Sequence, residues 1–151
     1  MVKLTSARGL LAKCSKLSNI VHQSAQFKEA FEAKFEALRS IPDANTTRWS
    51  SLFHQLSAIA KLDSKSLKEV LNDTGHSNLI LSQTNIDNHN GLVAVLGAFA
   101  EVTDVIQGDT YPTLGCVLPS VVSLHEILTS LCRTAQFNKV FVKALLESLV
   151  T

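Results

Sequence analysis

The chain is poor in the residues that build disulfide frameworks, zinc fingers and glycine-rich phosphate loops. Its 151 residues include three cysteines, six glycines and three prolines. The cysteines are Cys14, Cys116 and Cys132, an odd set without repeated spacing, which predicts neither a disulfide framework nor a zinc finger. We expect all three to be reduced thiols in or near the core, as in intracellular proteins.

Signals for secretion and membrane insertion are also missing from the sequence. The first sixteen residues lack the apolar segment and the small-residue cleavage site of a secretory signal. No run of about 18 apolar residues occurs. The most apolar stretch, Leu92 to Ala100, is shorter and is interpreted as a buried helix. These absences predict an intracellular protein without a membrane partner.

Charge is low overall but unevenly distributed along the chain. The formal net charge is +1, which by itself argues against a strongly electrostatic nucleic-acid binder. Residues 1–75 hold eleven Lys/Arg and seven Asp/Glu, a difference of +4, whereas residues 76–151 hold three and six, a difference of −3. The first 28 residues contain five basic side chains and no acid. This basic start is either one solvated helix face or a surface for an anionic partner.

Apolar residues recur at helical spacing through nearly the whole chain. Successive stripes begin at Leu10, Phe27, Trp49, Leu67, Leu92, Leu114 and Phe137. No stretch alternates apolar and polar residues as a strand would. The pattern predicts an all-α fold of six or seven helices in a single domain, 1–151, with a sub-boundary at the polar 75–90 connector.

Helix ends are marked by a few capping and breaking residues. Asp63 or Ser64 is a candidate N-cap, and Gly75 and Gly108 stand where the residue after a helix C-cap is expected. Pro119 falls inside a periodic run, where it removes one backbone hydrogen bond and is expected to kink the helix.

Residue patterns for catalysis are weak. Asp87 with His89, and Glu101 with Asp104, could each contribute to a metal site, but scattered polar residues and exposed acidic pairs are far commoner. No nucleophile elbow, P-loop or dinucleotide-binding motif occurs. The sequence therefore predicts no metal, no cofactor, no small-molecule substrate and no enzymatic activity from this chain.

The segment around Arg48 and Trp49 is the strongest functional candidate. Arginine binds phosphate through a planar fork, and tryptophan offers a large stacking face. Trp49 lies on the apolar face of its helix, so it is either a core residue or a DNA-facing one. Lys13 and Lys16 of the basic first helix are candidates for the same DNA-binding patch.

Two ordered blocks resemble hAT-superfamily DNA transposases and their BED-zinc-finger relatives. In that family a basic helix ends in His-x-Ser, and a Thr-Arg-Trp-Asn-Ser motif opens a later helix. Residues 22–24 and 47–51 occupy these places, with Ser50 in place of the usual Asn. The second block runs from Ala100 to Val121 and matches the family at nine positions: Thr103, Gln107, Gly108, Asp109, Tyr111, Pro112, Thr113, Leu118 and Pro119.

The resemblance implies an irregular helical bundle like the insertion domain of those transposases, without the RNase H-like sheet. In the family, that sheet carries three metal-binding acids, and the insertion lies between the second and third. The triad is not matched within this chain, so the resemblance implies a non-catalytic fragment. It also implies a nuclear location, and it places Arg48 and Trp49 beside the transposon end.

Two hypotheses follow for the function. The first is a transposase-derived fragment that at most contributes to DNA binding. The second is an all-α module for protein interaction or self-association, without nucleic-acid binding, because an isolated insertion domain exposes the face that met its core. Under either hypothesis the expected partners are DNA, a second copy or parent-type transposase subunits.

Overall fold

The computed structural model describes residues 2–35, 41–43, 49–107, 114–134 and 139–150. Those residues contain seven α-helices and one 3₁₀ turn, and no strand. The helices are α1 (Val2–Gln23), α2 (Ala25–Lys34), α3 (Trp49–Ala60), α4 (Ser64–Asp73), α5 (Gln83–Ile106), α6 (Leu114–Thr134) and α7 (Lys139–Val150); the 3₁₀ turn is Ser77–Leu79. The all-α prediction is therefore confirmed.

The chain packs as two units, Met1–His89 and Asn90–Thr151. The first unit is built on α1, which contacts α2, α3 and the 3₁₀ turn. Its core residues come from α1, α2, α3 and α4, from Ile41 before α3 and from the 3₁₀ turn: Leu10, Cys14, Leu17, Val21, Phe27, Phe31, Ile41, Leu56, Ile59, Leu67, Val70, Leu71 and Leu79. The grouping of the whole chain into a single domain stays a prediction.

The second unit has a smaller core. It joins α6 and α7, which contact each other, to the part of α5 that follows Asn90. The buried residues are Val95, Ala98, Leu124, Leu128 and Val142. Pro119 lies inside α6, as expected from the sequence.

Capping fixes the ends of α4 as the sequence predicts. Asp63 accepts hydrogen bonds from the Ser66 amide at 2.8 Å and the Ser66 hydroxyl at 2.9 Å. These bonds hold the pKa of the Asp63 carboxyl below its usual value. At the other end Gly75 has φ +77°, and the next amide, of His76, donates to the Leu71 carbonyl at 2.7 Å. This is the Schellman pattern, in which glycine takes the left-handed conformation.

The connector expected at 75–90 is shorter in the structure, because α5 begins at Gln83. Ser82 caps the helix by accepting a hydrogen bond from the Asn85 amide at 3.3 Å. The Gln83 side chain donates to Asp87 one turn later, at 3.1 Å. Ile86 is half-buried and His89 is buried, so an inward face exists even though most neighbouring side chains are polar.

Two glycines allow a matched test of the α4 terminus. We expect Gly75→Ala to lower the free energy of unfolding by about 1–2 kcal/mol, since alanine at a positive φ is strained. Gly9→Ala, inside α1, should instead raise it by about 0.5–1 kcal/mol. A Cβ at either position meets nothing within 4 Å, so steric clashes do not complicate the comparison. Urea unfolding measures both, and equal changes would contradict the assignment.

Candidate functional site

A cluster of polar side chains fastens residues 41–43 to α1 and α3. The Ser18 hydroxyl donates to Asp43 Oδ1 at 2.7 Å and lies 3.3 Å from the carbonyl oxygens of Ile41 and Pro42. His22 Nε2 is 2.9 Å from the Ile41 carbonyl oxygen and 3.7 Å from Asp43 Oδ1. The Gln55 amide nitrogen, on α3, donates to the Pro42 carbonyl at 3.2 Å.

This cluster unites a serine, a histidine and an aspartate, but its geometry is not that of a catalytic triad. In a triad the imidazole lies between the hydroxyl and the carboxylate. Here the Ser18 hydroxyl donates directly to Asp43, and Ser18 is 0% exposed. A hydroxyl so placed stabilises the loop and does not reach a substrate.

The His-x-Ser pair that supports the family resemblance has identifiable structural roles. His22 contacts the loop that precedes α3 through the Ile41 carbonyl. Ser24 is the N-cap of α2 and accepts a hydrogen bond from the Phe27 amide at 3.3 Å. Both residues thus determine how the chain turns between the first helices.

The principal DNA-binding candidates fall largely outside the described residues. Arg48 is not among them; α3 begins at Trp49, whose side chain is also outside the description. Farther along α3, Leu56 and Ile59 are buried and Gln55 belongs to the polar cluster. The assignment of DNA contacts to Arg48 and Trp49 stays a prediction.

The two lysine candidates on α1 differ in their surroundings. Lys13 is half-buried, and its ammonium donates to the Ile80 carbonyl at 3.1 Å, which ties α1 to the segment before α5. Lys16 is exposed, as is Arg8. At 100° per residue, Arg8 and Lys16 both project from the side of α1 away from its buried stripe. Lys13 therefore has a structural bond, whereas Lys16 and Arg8 face solvent.

The second family-like block is described only in part, because residues 108–113 lie outside the description. The Thr103 hydroxyl donates to the Phe99 carbonyl at 2.7 Å, and the Gln107 amide donates to the Thr103 carbonyl at 2.9 Å. These bonds lie within the last turns of α5 and just beyond its end. Leu118 and Pro119, in α6, are exposed.

Acidic and histidine side chains do not gather into a larger cluster in the part of the chain that the structure describes. No group of three or more metal-binding side chains occurs there. Glu101 and Asp104 are both exposed, Asp87 accepts from Gln83, and His89 is buried. The prediction of no metal site stays a prediction.

Sequence reasoning missed an exposed apolar surface on α6. It consists of Val117, Leu118, Val121 and Val122, which lie within about 140° of the helix circumference. Leu118 is 74% exposed and Val122 is 50% exposed. Two residues of α7, Val140 and Phe141, are exposed as well. The signal in the sequence was the absence of Asp, Glu, Lys, Arg and His from Leu114 to Leu124.

Two helices among the described residues are long and apolar enough, by length and composition, to cross a membrane. They are Gln83–Ile106 and Gly115–Thr134, whose most apolar 18-residue windows have mean hydropathies of 1.2 and 1.4. In each helix, 17% of that 18-residue window is buried. One or two such helices are weak evidence, and the expectation of no membrane partner stays a prediction.

No protein-family model, curated protein or solved structure matches this chain.

The cysteines should differ sharply in reactivity. All three are free thiols; Cys14 is buried, whereas Cys116 and Cys132 are half-buried. Burial raises the pKa of the Cys14 thiol to about 12, which leaves almost no nucleophilic thiolate at neutral pH. We expect iodoacetamide to label Cys116 and Cys132 in the native protein, and Cys14 only in denaturant. Peptide mass spectrometry checks this; native labelling of Cys14 at the rate of the other two would contradict it.

Proposed function

We propose that this protein is a non-catalytic helical module that self-associates through the apolar surface of α6. The observation that carries the proposal is the exposure of Leu118 and Val122 on a helix segment without Asp, Glu, Lys, Arg or His side chains. An apolar helix face is normally covered by protein or lipid. Exposed apolar patches of this kind mark association sites.

The charge pattern favours a second copy as the covering partner. When two identical surfaces meet about a two-fold axis, each residue approaches its own counterpart or a close neighbour. Like charges in such a contact repel one another. From Leu114 to Leu124 the helix has none, and its first charged residues, Glu126 and Arg133, lie farther along and have opposite signs. The surface can therefore meet itself without electrostatic cost.

The same pattern disfavours a bilayer as the covering partner. Spanning the hydrocarbon core takes about 30 Å of apolar helix, or roughly 20 residues. Gly115–Thr134 has that length, but the uncharged segment Leu114–Leu124 supplies only about 16 Å at 1.5 Å per residue, so Glu126 would lie in the hydrocarbon. In α5, Glu101 and Asp104 are exposed within the last two turns. Lateral contact with another helix needs only one apolar side and accommodates these charges.

A charged substitution on the surface should prevent association. We expect the wild-type protein to form dimers in a concentration-dependent manner, and Leu118→Lys to weaken dimerisation about tenfold or more. Leu118 is mostly exposed, so the variant should fold normally by circular dichroism. Ser123→Lys is the matched control, because Ser123 is an exposed residue of the same helix outside the apolar surface. Sedimentation velocity measures the dissociation constant.

Two outcomes of that experiment would overturn the proposal. A wild-type protein that remains monomeric at high concentration has no self-association to explain. Co-flotation with neutral phosphatidylcholine vesicles, lost in Leu118→Lys but not in Ser123→Lys, would assign the surface to lipid instead.

DNA binding is a second candidate function, supported by the two family-like blocks and by the exposed cations of α1. Arg8 and Lys16 face solvent on one side of α1, whose 22 residues include no acid. Phosphate contacts of this kind position a protein on DNA without reading its sequence. In this role Arg48 would contact phosphate, Trp49 would stack on a base, and the protein would act in the nucleus without cutting or joining strands.

Salt dependence distinguishes this role from non-electrostatic binding. We expect the affinity for a DNA hairpin to fall as salt rises, and Arg48→Ala to reduce the slope of log K against log salt by about 0.9. Lys16→Ala should act in the same direction. Lys139→Ala, an exposed lysine of α7, is the control. Fluorescence anisotropy across a salt series measures the slopes. Binding that ignores salt, or that Arg48→Ala leaves unchanged, would exclude the electrostatic mechanism.

A further inference from the structure

A cavity of about 160 Å³ lies within the first unit, where α3, α4 and the start of α5 meet. Its walls are mainly aliphatic and include Ile59, Leu67, Ile80 and Ile86. Leu67 and Ile59 belong to the core, so this side of the cavity is held in place by the packing of the unit. The cavity is remote in sequence from the apolar surface of α6 and is independent of the proposed function.

Polar residues complete the lining. Lys68, Ser64 and Gln83 are exposed, so they stand where the cavity opens to solvent. His89 also lines the cavity but is only 2% exposed, so it contributes a polar ring to the interior. Among the lining residues, Lys68 is the only one with a permanent charge. Asp63, next to Ser64 in sequence, bonds the Ser66 amide and hydroxyl.

We infer that this cavity binds a small amphipathic carboxylate, with its compact apolar body between the aliphatic walls and its anionic group at Lys68. The cavity volume limits the apolar part of the ligand to about the size of one benzene ring, since an apolar protein cavity of about 150 Å³ accepts benzene. Pockets with apolar walls and a few polar groups at defined positions are typical of small-molecule sites. The single positive charge at the opening selects the anion and orients it outward.

Phenylacetate is a probe of suitable size and charge, and toluene is its neutral counterpart. We expect a titration followed by ¹H–¹⁵N NMR to shift amides of the lining residues in a saturable manner. Lys68→Gln should weaken phenylacetate binding about three- to fivefold, as for a solvent-exposed ion pair, and leave toluene binding unchanged. Lys65→Gln, a neighbouring exposed lysine of α4 outside the lining, should change neither.

Filling the cavity provides the second variant. Ala60 lines the cavity and its side chain is exposed, so Ala60→Phe can occupy the space without displacing the core. It should abolish binding of both probes while the circular dichroism spectrum stays native. Absence of saturable shifts in the lining of the wild-type protein, or equal effects of Lys68→Gln and Lys65→Gln on phenylacetate, would overturn the inference.

Discussion

Burial of a single apolar stripe on α1 is the constraint on which the first unit depends. Leu10, Cys14, Leu17 and Val21 are all buried, and they follow one another at helical spacing. The helices α2 and α3 and the 3₁₀ turn all contact α1, so each is positioned against this stripe. Hydrogen bonds then hold two connecting segments against α1: Ser18 binds the loop before α3, and Lys13 binds the segment before α5. Apolar packing selects the arrangement, and these bonds set its register.

The second unit buries only part of its apolar surface. Its core of five buried residues is supplied by α5, α6 and α7. The first half of α6 is nonetheless apolar over more of its circumference than that core can cover, and Leu118, Val121 and Val122 remain exposed. Helical periodicity in a sequence indicates which residues are covered from water. It does not indicate whether the side chains that cover them belong to the same molecule or to another.

Helical spacing and the chemistry of single residues predicted most of the fold but little of the candidate site. Stripe spacing predicts the helices, and the Asp63 cap and the left-handed Gly75 follow from the chemistry of single residues. The start of α5 was missed because its first two turns are polar and only the Ser82 cap and inward Ile86 mark it. The Ser18–Asp43 bond spans 25 positions and the Lys13–Ile80 bond spans 67, so no local pattern reveals them.

If the protein self-associates as proposed, the uncharged stretch of α6 would link its paired state to its abundance. In the proposed self-association, the number of paired molecules rises with the square of the free-monomer concentration when pairing is weak. A doubling of expression would then raise the paired population about fourfold. The share of paired protein would in this way follow the amount of protein made, without a separate ligand.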